Sequence, residues 1–379
     1  MPFSKLKLNN ELTQKLIEKG FEKPYPIQQQ AIPAILKNLD VLGIAQTGSG
    51  KTACFVLPIL NNFKTKNTDK NRSVDTLILV PTRELAVQVE EVFKEFNQAL
   101  KNSAVVRAVY GGVSINPQMK GLYGVNILIA TPGRLNELVN SKALTLNKVS
   151  TLVLDEADKM LNLGFKDEMD SILKLLPKKR QNLLFSATLS EKVKEVKQII
   201  LHKPIVLNIK PQEENLDNIK QTSYSVESER KGPLLRYIIK TYDLQQVLVF
   251  TSSTFKADNV AAKLRKNNIH ATAIHSKKSQ GARTATLQKF KEGSLRVLVA
   301  TDLLARGIDI NFLPHVINFE LPRSPKDFIH RIGRTGRAEK PGNAITFFSS
   351  EEEHHFGVIQ KKIKKKIEIK DGDKIVLSL

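Results

Sequence analysis

The chain has one cysteine, Cys54, in 379 residues, so no intrachain disulfide can form. That excludes a disulfide-stapled secreted scaffold and fits a reducing compartment. No apolar run approaches the ~18 residues of a membrane span. The stretch from Met1 to Leu16 interleaves Lys, Asn and Glu with Leu, and lacks the apolar core of a signal peptide. Acidic residues are also scarce, 38 Asp and Glu against 59 Lys and Arg, a net charge of +21. These features together describe a soluble, cytoplasmic protein with a polyanionic partner, nucleic acid ahead of a membrane surface. The excess is shared between the halves: residues 1–210 hold 30 basic and 19 acidic residues, and residues 211–379 hold 29 and 19. A partner that touches both halves fits this balance; a lysine-rich solubilising surface is the alternative.

With 41% hydrophobic and 26% charged residues, each part of the chain can bury a core, and the length suits two or three domains. Short β-branched runs recur at Val41–Ala45, Thr76–Val80, Asn126–Ala130, Thr151–Leu154, Asn182–Phe185 and Pro204–Leu207. Runs of this kind are strands buried on both faces, as in a parallel sheet. Amphipathic stretches such as Glu84–Leu100 and Glu191–Leu201 lie between them. The pattern lapses over 208–220, which reads as a linker or as a long surface loop. It resumes with strands expected at Thr222–Val226, Gln246–Phe250, Ala271–His275, Arg296–Ala300, His315–Phe319 and Ala344–Phe348, and helices at Ser253–Asn267 and Gln280–Glu292. The fold class is α/β: a domain over 1–207, the linker, and a second domain over 221–379, each a mostly parallel sheet with helices on both faces. Lys361–Lys370 carries six lysines in ten residues, either a nucleic-acid-facing patch or a solvated helix face.

Three segments carry chemistry. Ala45-Gln46-Thr47-Gly48-Ser49-Gly50-Lys51-Thr52 follows an apolar strand and precedes the helical stretch Ala53–Phe63, the context a phosphate-binding loop needs. Glycines let backbone N–H groups approach phosphates, and the helix N-terminus adds positive potential. Lys51 would reach the β- and γ-phosphates and Thr52 a Mg²⁺ ion. Ala45 stands where a first glycine is usual, which works only if its φ stays negative. Second, the apolar strand Thr151–Leu154 runs into Asp155-Glu156-Ala157-Asp158, which places carboxylates at the C-terminal edge of the sheet. Asp155 suits the Mg²⁺ shell and Glu156 the base that activates water; an acidic helix N-terminus is the alternative. Third, His330-Arg331-Ile332-Gly333-Arg334-Thr335-Gly336-Arg337 interleaves arginine with glycine, which suits phosphate recognition or a basic RNA-binding loop. If these arginines serve the nucleotide, the two domains must close on it, and hydrolysis would release them.

The tetrad Asp155–Asp158 and the order of the surrounding motifs resemble the DEAD-box RNA helicases over nearly the whole chain, from Phe3 to about Ser350. The resemblance implies two RecA-like domains, ATP and Mg²⁺ as cofactors, RNA-dependent ATP hydrolysis and local, non-processive unwinding of short duplexes or remodelling of RNA–protein complexes. Gly20-Phe21, Pro24 and Pro26-Ile27-Gln28 resemble the family's Q motif, so Gln28 would read the adenine edge and Phe21 hold the ring. Pro81-Thr82-Arg83-Glu84-Leu85-Ala86, Gly111-Gly112 and Thr131-Pro132-Gly133-Arg134 look like its RNA-backbone motifs in the first domain. Ser186-Ala187-Thr188 looks like the motif coupling hydrolysis to strand separation, with Asp158 and His330 in the same coupling role. In the second domain Val249-Phe250, Gln280-Gly281-Ala282-Arg283, Ala300-Thr301-Asp302 and Arg306-Gly307-Ile308-Asp309 match further motifs. There Arg283 and Thr301 would meet RNA and Asp309 the ribose of ATP. The finger arginines fall on Arg334 and Arg337, and Lys51 and Glu156 complete the catalytic set. Tyr110–Ile115 and Lys277–Arg283 look most like the bacterial RhlE type. Tyr25, Lys159 and Ser276 depart from the usual Thr, Arg and Gly.

The remaining candidates have plainer readings. Cys54 suits packing, His354-His355 lacks partners at zinc spacing, and His275 and His330 suit hydrogen-bond relays. The expected partner is RNA, single-stranded or a short duplex, met by a monomer away from membranes, with protein partners in ribosome assembly or RNA decay. A DNA translocase and a non-enzymatic RNA clamp are the rival functions.

Overall fold

The computed structural model describes residues 2–46, 48–64, 72–209, 218–302, 313–336 and 341–377. The chain forms two compact units, Met1–Pro211 and Gln212–Leu379. Most of the expected linker, residues 210–217, lies outside the described residues.

In the first unit the strands are β1 (Val41–Ile44), β2 (Thr76–Leu79), β3 (Val106–Val109), β4 (Ile127–Ala130), β5 (Thr151–Leu154), β6 (Gln181–Ser186) and β7 (Ile205–Asn208). They form one sheet in the order β3-β4-β2-β5-β6-β1-β7. In the second, β8 (Ile219–Ser225), β9 (Val247–Thr251), β10 (Ala271–Ile274), β11 (Val297–Thr301), β12 (His315–Asn318), β13 (Gly342–Phe348) and β14 (Glu368–Asp371) form the order β10-β11-β9-β12-β13-β8-β14. Every strand pairing among these is parallel.

The apolar runs are continuous because both faces of each sheet are covered. In β2, Ile78 packs into one core cluster while Leu77 and Leu79 pack into another. In β9, Val247 and Val249 face one cluster, and Leu248 and Phe250 face the other. Alternate residues therefore enter helical layers on opposite sides, as the period of two requires. The helices start where local chemistry favours it. Thr82 accepts from Leu85 N (3.3 Å) to cap helix Arg83–Asn97, and Ser253 accepts from Lys256 N (3.2 Å) to cap Thr254–Arg265.

Two strands have no counterpart among the sequence expectations. β3 is an edge strand whose pattern is broken by the exposed Arg107. β14 is exposed along its whole length. The Lys361–Lys370 run is correspondingly not one helix face: Lys361 and Lys362 end helix Glu353–Ile363, and Lys370 lies in β14.

Candidate functional site

In a parallel sheet every loop that follows a strand emerges at the same edge, so the C-terminal edge collects side chains from distant sequence. In the first unit that edge carries two adjoining groups of residues. One sits over β5, β6 and β1, and the other over β3, β4 and β2.

The first group begins with the loop after β1. Gly48 and Gly50 have φ of +85° and +81°, in the left-handed region where a Cβ is strained. Ala45 is not among the positive-φ residues, so a methyl group is tolerated there. Gln46 O accepts from Ser49 Oγ at 2.7 Å, which tightens the turn. Thr47 lies outside the described residues. Lys51 opens helix Lys51–Asn62, with Thr52 next to it, and its Nζ donates to Ala45 O at 2.5 Å. The lysine is 7% exposed. Burial lowers its pKa, and Asp155, Glu156 and Asp158 oppose the shift.

Asp155 and Glu156 leave β5 side by side. Asp155 is 2% exposed and its Oδ1 accepts from Glu156 N at 2.9 Å. Burial pushes its pKa up to about 6, Glu156 adds to the rise, and Lys51 opposes it. Glu156 sits in the left-handed region at φ +53°, an uncommon conformation for a residue with a side chain. One of its carboxylate oxygens, Oε1, accepts from Lys159 Nζ at 2.7 Å, while the buried Oε2 has no protein partner. Asp158 reaches the loop after β6: its Oδ2 accepts from Thr188 Oγ1 at 3.0 Å, and its Oδ1 accepts from Ala187 N at 3.4 Å. Ser186 Oγ donates to Thr188 O at 2.7 Å and closes that turn.

Gln28 approaches the same loop from helix Pro26–Leu36. Its Nε2 donates to Gly50 O (3.0 Å), and its Oε1 accepts from Tyr25 N (2.9 Å). The Tyr25 ring also lies against Gly50, where a Cβ would meet it at 2.8 Å. Phe21 is exposed. Cys54 is fully buried behind the loop, which fits the packing reading, and burial pushes its thiol pKa up.

The second group joins three sequence-distant segments. Pro81, Thr82 and Arg83 follow β2, with Pro81 buried. Gly112, at φ +74°, presses its Cα against the Arg83 guanidinium so closely that a Cβ would overlap it. Thr131 Oγ1 accepts from Gly111 N at 3.4 Å, and Gln118 brackets Tyr110 through its N (3.0 Å) and O (3.1 Å). Pro132 and Gly133 begin helix Pro132–Asn140. Arg134 differs from the expectation of an RNA-facing cation. It is 5% exposed, its Nε donates to Glu137 (2.7 Å), and an Nη donates to Val113 O (2.8 Å). Glu137, one helical turn away, takes Nε from the solvent side, and the buried Nη1 has no protein partner among the described residues.

In the second unit, Thr301 ends β11, and Arg283 lies buried in the first turn of helix Gln280–Lys291 after β10. His275 also follows β10 and bonds through Nε2 to Asp258 Oδ2 at 2.9 Å. Asp309 and Arg337 lie outside the described residues. His330 and Arg331 are in helix Pro325–Ile332, and Arg334 follows it, 6% exposed. Arg334 O accepts from Leu313 N at 3.0 Å, just before β12, so Arg334 stands at the N-terminal edge of the second sheet while Arg331 reaches the C-terminal ends of β11 and β12. Arg331 had no separate role in the sequence reading. It is 2% exposed and grips Asp302 with two bonds, at 2.6 and 2.7 Å. It also donates to Asn318 Oδ1 (3.2 Å) and Glu320 O (2.6 Å) and lies 4.9 Å over the Phe250 ring. Its type and spacing match its arginine neighbours, so only the fold separates a strut from a phosphate ligand.

Among the described residues no group of three or more His, Cys, Asp or Glu is placed to hold a metal, and no helix is long and apolar enough to cross a membrane. The carboxylate pair beside Lys51 does suit Mg²⁺ as nucleotides bring it, since that ion is held by one or two carboxylates with the phosphates supplying the rest.

A family model described as DEAD/DEAH box helicase matches residues 25–196, and one described as helicase conserved C-terminal domain matches residues 230–339. The chain is 38% identical over 367 residues to the DEAD-box ATP-dependent RNA helicase CshA of Bacillus subtilis (strain 168), covering 97% of this chain and 73% of that protein. It is 39% identical to the CshA of Geobacillus kaustophilus (strain HTA426), covering 97% and 77%. Among solved structures it resembles S. cerevisiae Dbp5 bound to RNA and ADP BeF3, with a TM-score of 0.83, 30% identity and coverage of 98% and 96%. A DEAD box protein from Methanococcus jannaschii matches at 35% identity with a TM-score of 0.54, covering 98% and 99%.

Proposed function

The chain belongs to the DEAD-box family of ATP-dependent RNA helicases, and from that premise we infer that it hydrolyses ATP in response to RNA and uses the cycle to open short duplexes or remodel RNA–protein complexes. Its two parallel-sheet units are the two RecA-like domains of such an enzyme. The observation that carries the reading is the gathering at one sheet edge of the buried Lys51, Asp155, Glu156 and Asp158, with Asp158 bonded to Thr188 of the loop after β6.

We assign the roles as follows. The backbone of 45–50 and Lys51 cradle the phosphates, and Gln28 and Phe21 receive the adenine. Thr52 and Asp155 hold Mg²⁺, which supplies charge neutralisation at the phosphates. Glu156 Oε2, buried and without a protein partner, accepts the proton of the attacking water. Asp309 meets the ribose, and Arg334 and Arg337 neutralise charge that develops during hydrolysis. The Asp158–Thr188 bond and His330 tie the nucleotide state to RNA. RNA itself is met through its backbone, at Pro81, Thr82, Arg83, Gly112, Thr131, Pro132 and Gly133 of the first domain and at Arg283 and Thr301 of the second. Arg134 acts there by holding the Val113 turn. The 1–207 and 221–379 domain bounds, the monomeric state, the cytoplasmic setting and partners in ribosome assembly or RNA decay belong to the same proposal. The RhlE-like subtype rests on Tyr110–Ile115 and Lys277–Arg283, whereas the two relatives above carry the CshA name.

Steady-state ATPase with no nucleic acid, with single-stranded RNA and with matched DNA, at two salt concentrations, tests the reading. Strong, salt-sensitive stimulation by RNA alone is expected. Equal stimulation by DNA would favour a DNA translocase, and RNA binding without stimulation would favour a clamp.

A further inference from the structure

We propose that Phe255 is a stacking platform for an RNA base at the C-terminal edge of the second sheet; this rests on the RNA-helicase reading above and adds to it a contact to a base. Phe255 is 76% exposed, the most exposed aromatic among the described residues. Single apolar side chains on a surface are ordinary, so exposure alone carries nothing. Placement carries the argument. Phe255 is in the first turn of helix Thr254–Arg265, directly after β9, and Thr251 at the end of β9 pairs in register with Thr301 of β11. Thr301 is one of the residues assigned to RNA.

The other neighbour is the loop after β10. Asp258 stands three residues on from Phe255, on the same face of the helix. It grips that loop twice, accepting from Lys278 Nζ at 2.8 Å and bonding His275 Nε2 at 2.9 Å. The grip holds the 275–279 loop, with the exposed Lys277, along the helix face that bears Phe255. Arg283 follows one turn into the next helix. An exposed aromatic beside an exposed lysine at a sheet edge is an arrangement by which single strands are bound without sequence preference: a base stacks on the ring and a phosphate meets Lys277. Every base has a π-face, so Phe255 would add affinity for single strands and little discrimination among bases.

The test is the RNA concentration that half-saturates ATPase, measured on the full chain. F255A is expected to raise it about tenfold, an effect overcome at high RNA. F255Y and F255W are expected to restore it, while F255L, apolar but without a π-face, behaves as alanine does. A strand with abasic sites should weaken wild type toward the F255A level and leave F255A little changed. Equal half-saturation for wild type and F255A, or a wild-type value for F255L, would overturn the proposal. Should RNA fail to stimulate wild type at all, the function reading falls on its own. Fluorescence anisotropy of labelled intact and abasic strands with the same variants then decides the stacking.

Discussion

The two units are built on the same kind of sheet, yet Glu156 in the first and Arg331 in the second are treated in opposite ways. In the first, one carboxylate at the C-terminal edge is left partly unsatisfied and its neighbours are strongly desolvated. Glu156 keeps a buried oxygen without a partner and a left-handed backbone, and Asp155 and Lys51 are both pushed by burial toward neutrality. In the second, Arg331 is saturated: Asp302 takes it twice, Asn318 and Glu320 take a further N–H each, and Phe250 lies beneath it. Unsatisfied buried polar groups are costly, and proteins keep them mainly where a ligand completes them. A fully satisfied network rigidifies. The contrast separates groups that wait for substrate from groups that hold the scaffold, a distinction residue type alone does not make.

The largest test of the contrast is Glu156→Gln. If Glu156 is held for chemistry, the amide should cost about 10²- to 10⁴-fold in RNA-stimulated ATP turnover. ATP binding should persist and the protein should fold as wild type. Wild-type turnover in E156Q would remove the base assignment and with it the first half of the comparison.

Arg331→Met tests the other half. Taking one partner from a buried ion pair leaves the other uncompensated and typically costs about 3–5 kcal/mol. Asp302 keeps some solvent access, 29% of its side chain, so the loss should fall toward the lower end. Urea unfolding reads it. If R331M unfolds as wild type does but loses RNA-stimulated hydrolysis, Arg331 acts on a ligand and the division between the units fails.

The readable parts of the molecule were those where chemistry is local. The loop after β1 shows in sequence because its turn needs glycines and its lysine starts a helix. The parallel sheets show because strands covered on both faces are apolar without interruption. β3 and β14 do not show, because an edge strand with a charged or exposed pattern lacks that signal. The arginines show as a type and not as a direction. Arg134 is buried where Val113 O, from another strand's loop, takes one of its N–H groups. Arg331 is claimed by an Asp 29 positions away in sequence. Neither outcome follows from motif spacing, which sets the neighbourhood of a guanidinium and leaves its orientation to the tertiary fold.

Asp155 gives the finest test because the two units should answer it with opposite signs. Its pKa in the fold, about 6, lies above the ordinary 3.8. A carboxyl raised in this way adds stability that is fully present below about 3.8 and is lost as pH rises through about 6. The nucleotide-free, Mg²⁺-free protein should therefore be less stable at pH 7 than at pH 5 on this account. The difference in pKa corresponds to about 3 kcal/mol as an upper figure. Asp155→Asn, neutral at every pH, should recover much of that at pH 7 and almost none near pH 4, while abolishing hydrolysis. Asp302→Asn should instead destabilise at pH 7, because its charge is wanted by Arg331. Thermal melts of both variants at pH 4.5 and 7.5 separate the cases. A stabilised D155N beside a destabilised D302N means Asp155 is held ready for a cation and Asp302 is committed to Arg331. Destabilisation in both would mean that Asp155 already serves the scaffold through Lys51, and the readiness of the first site would have to come from Glu156 alone.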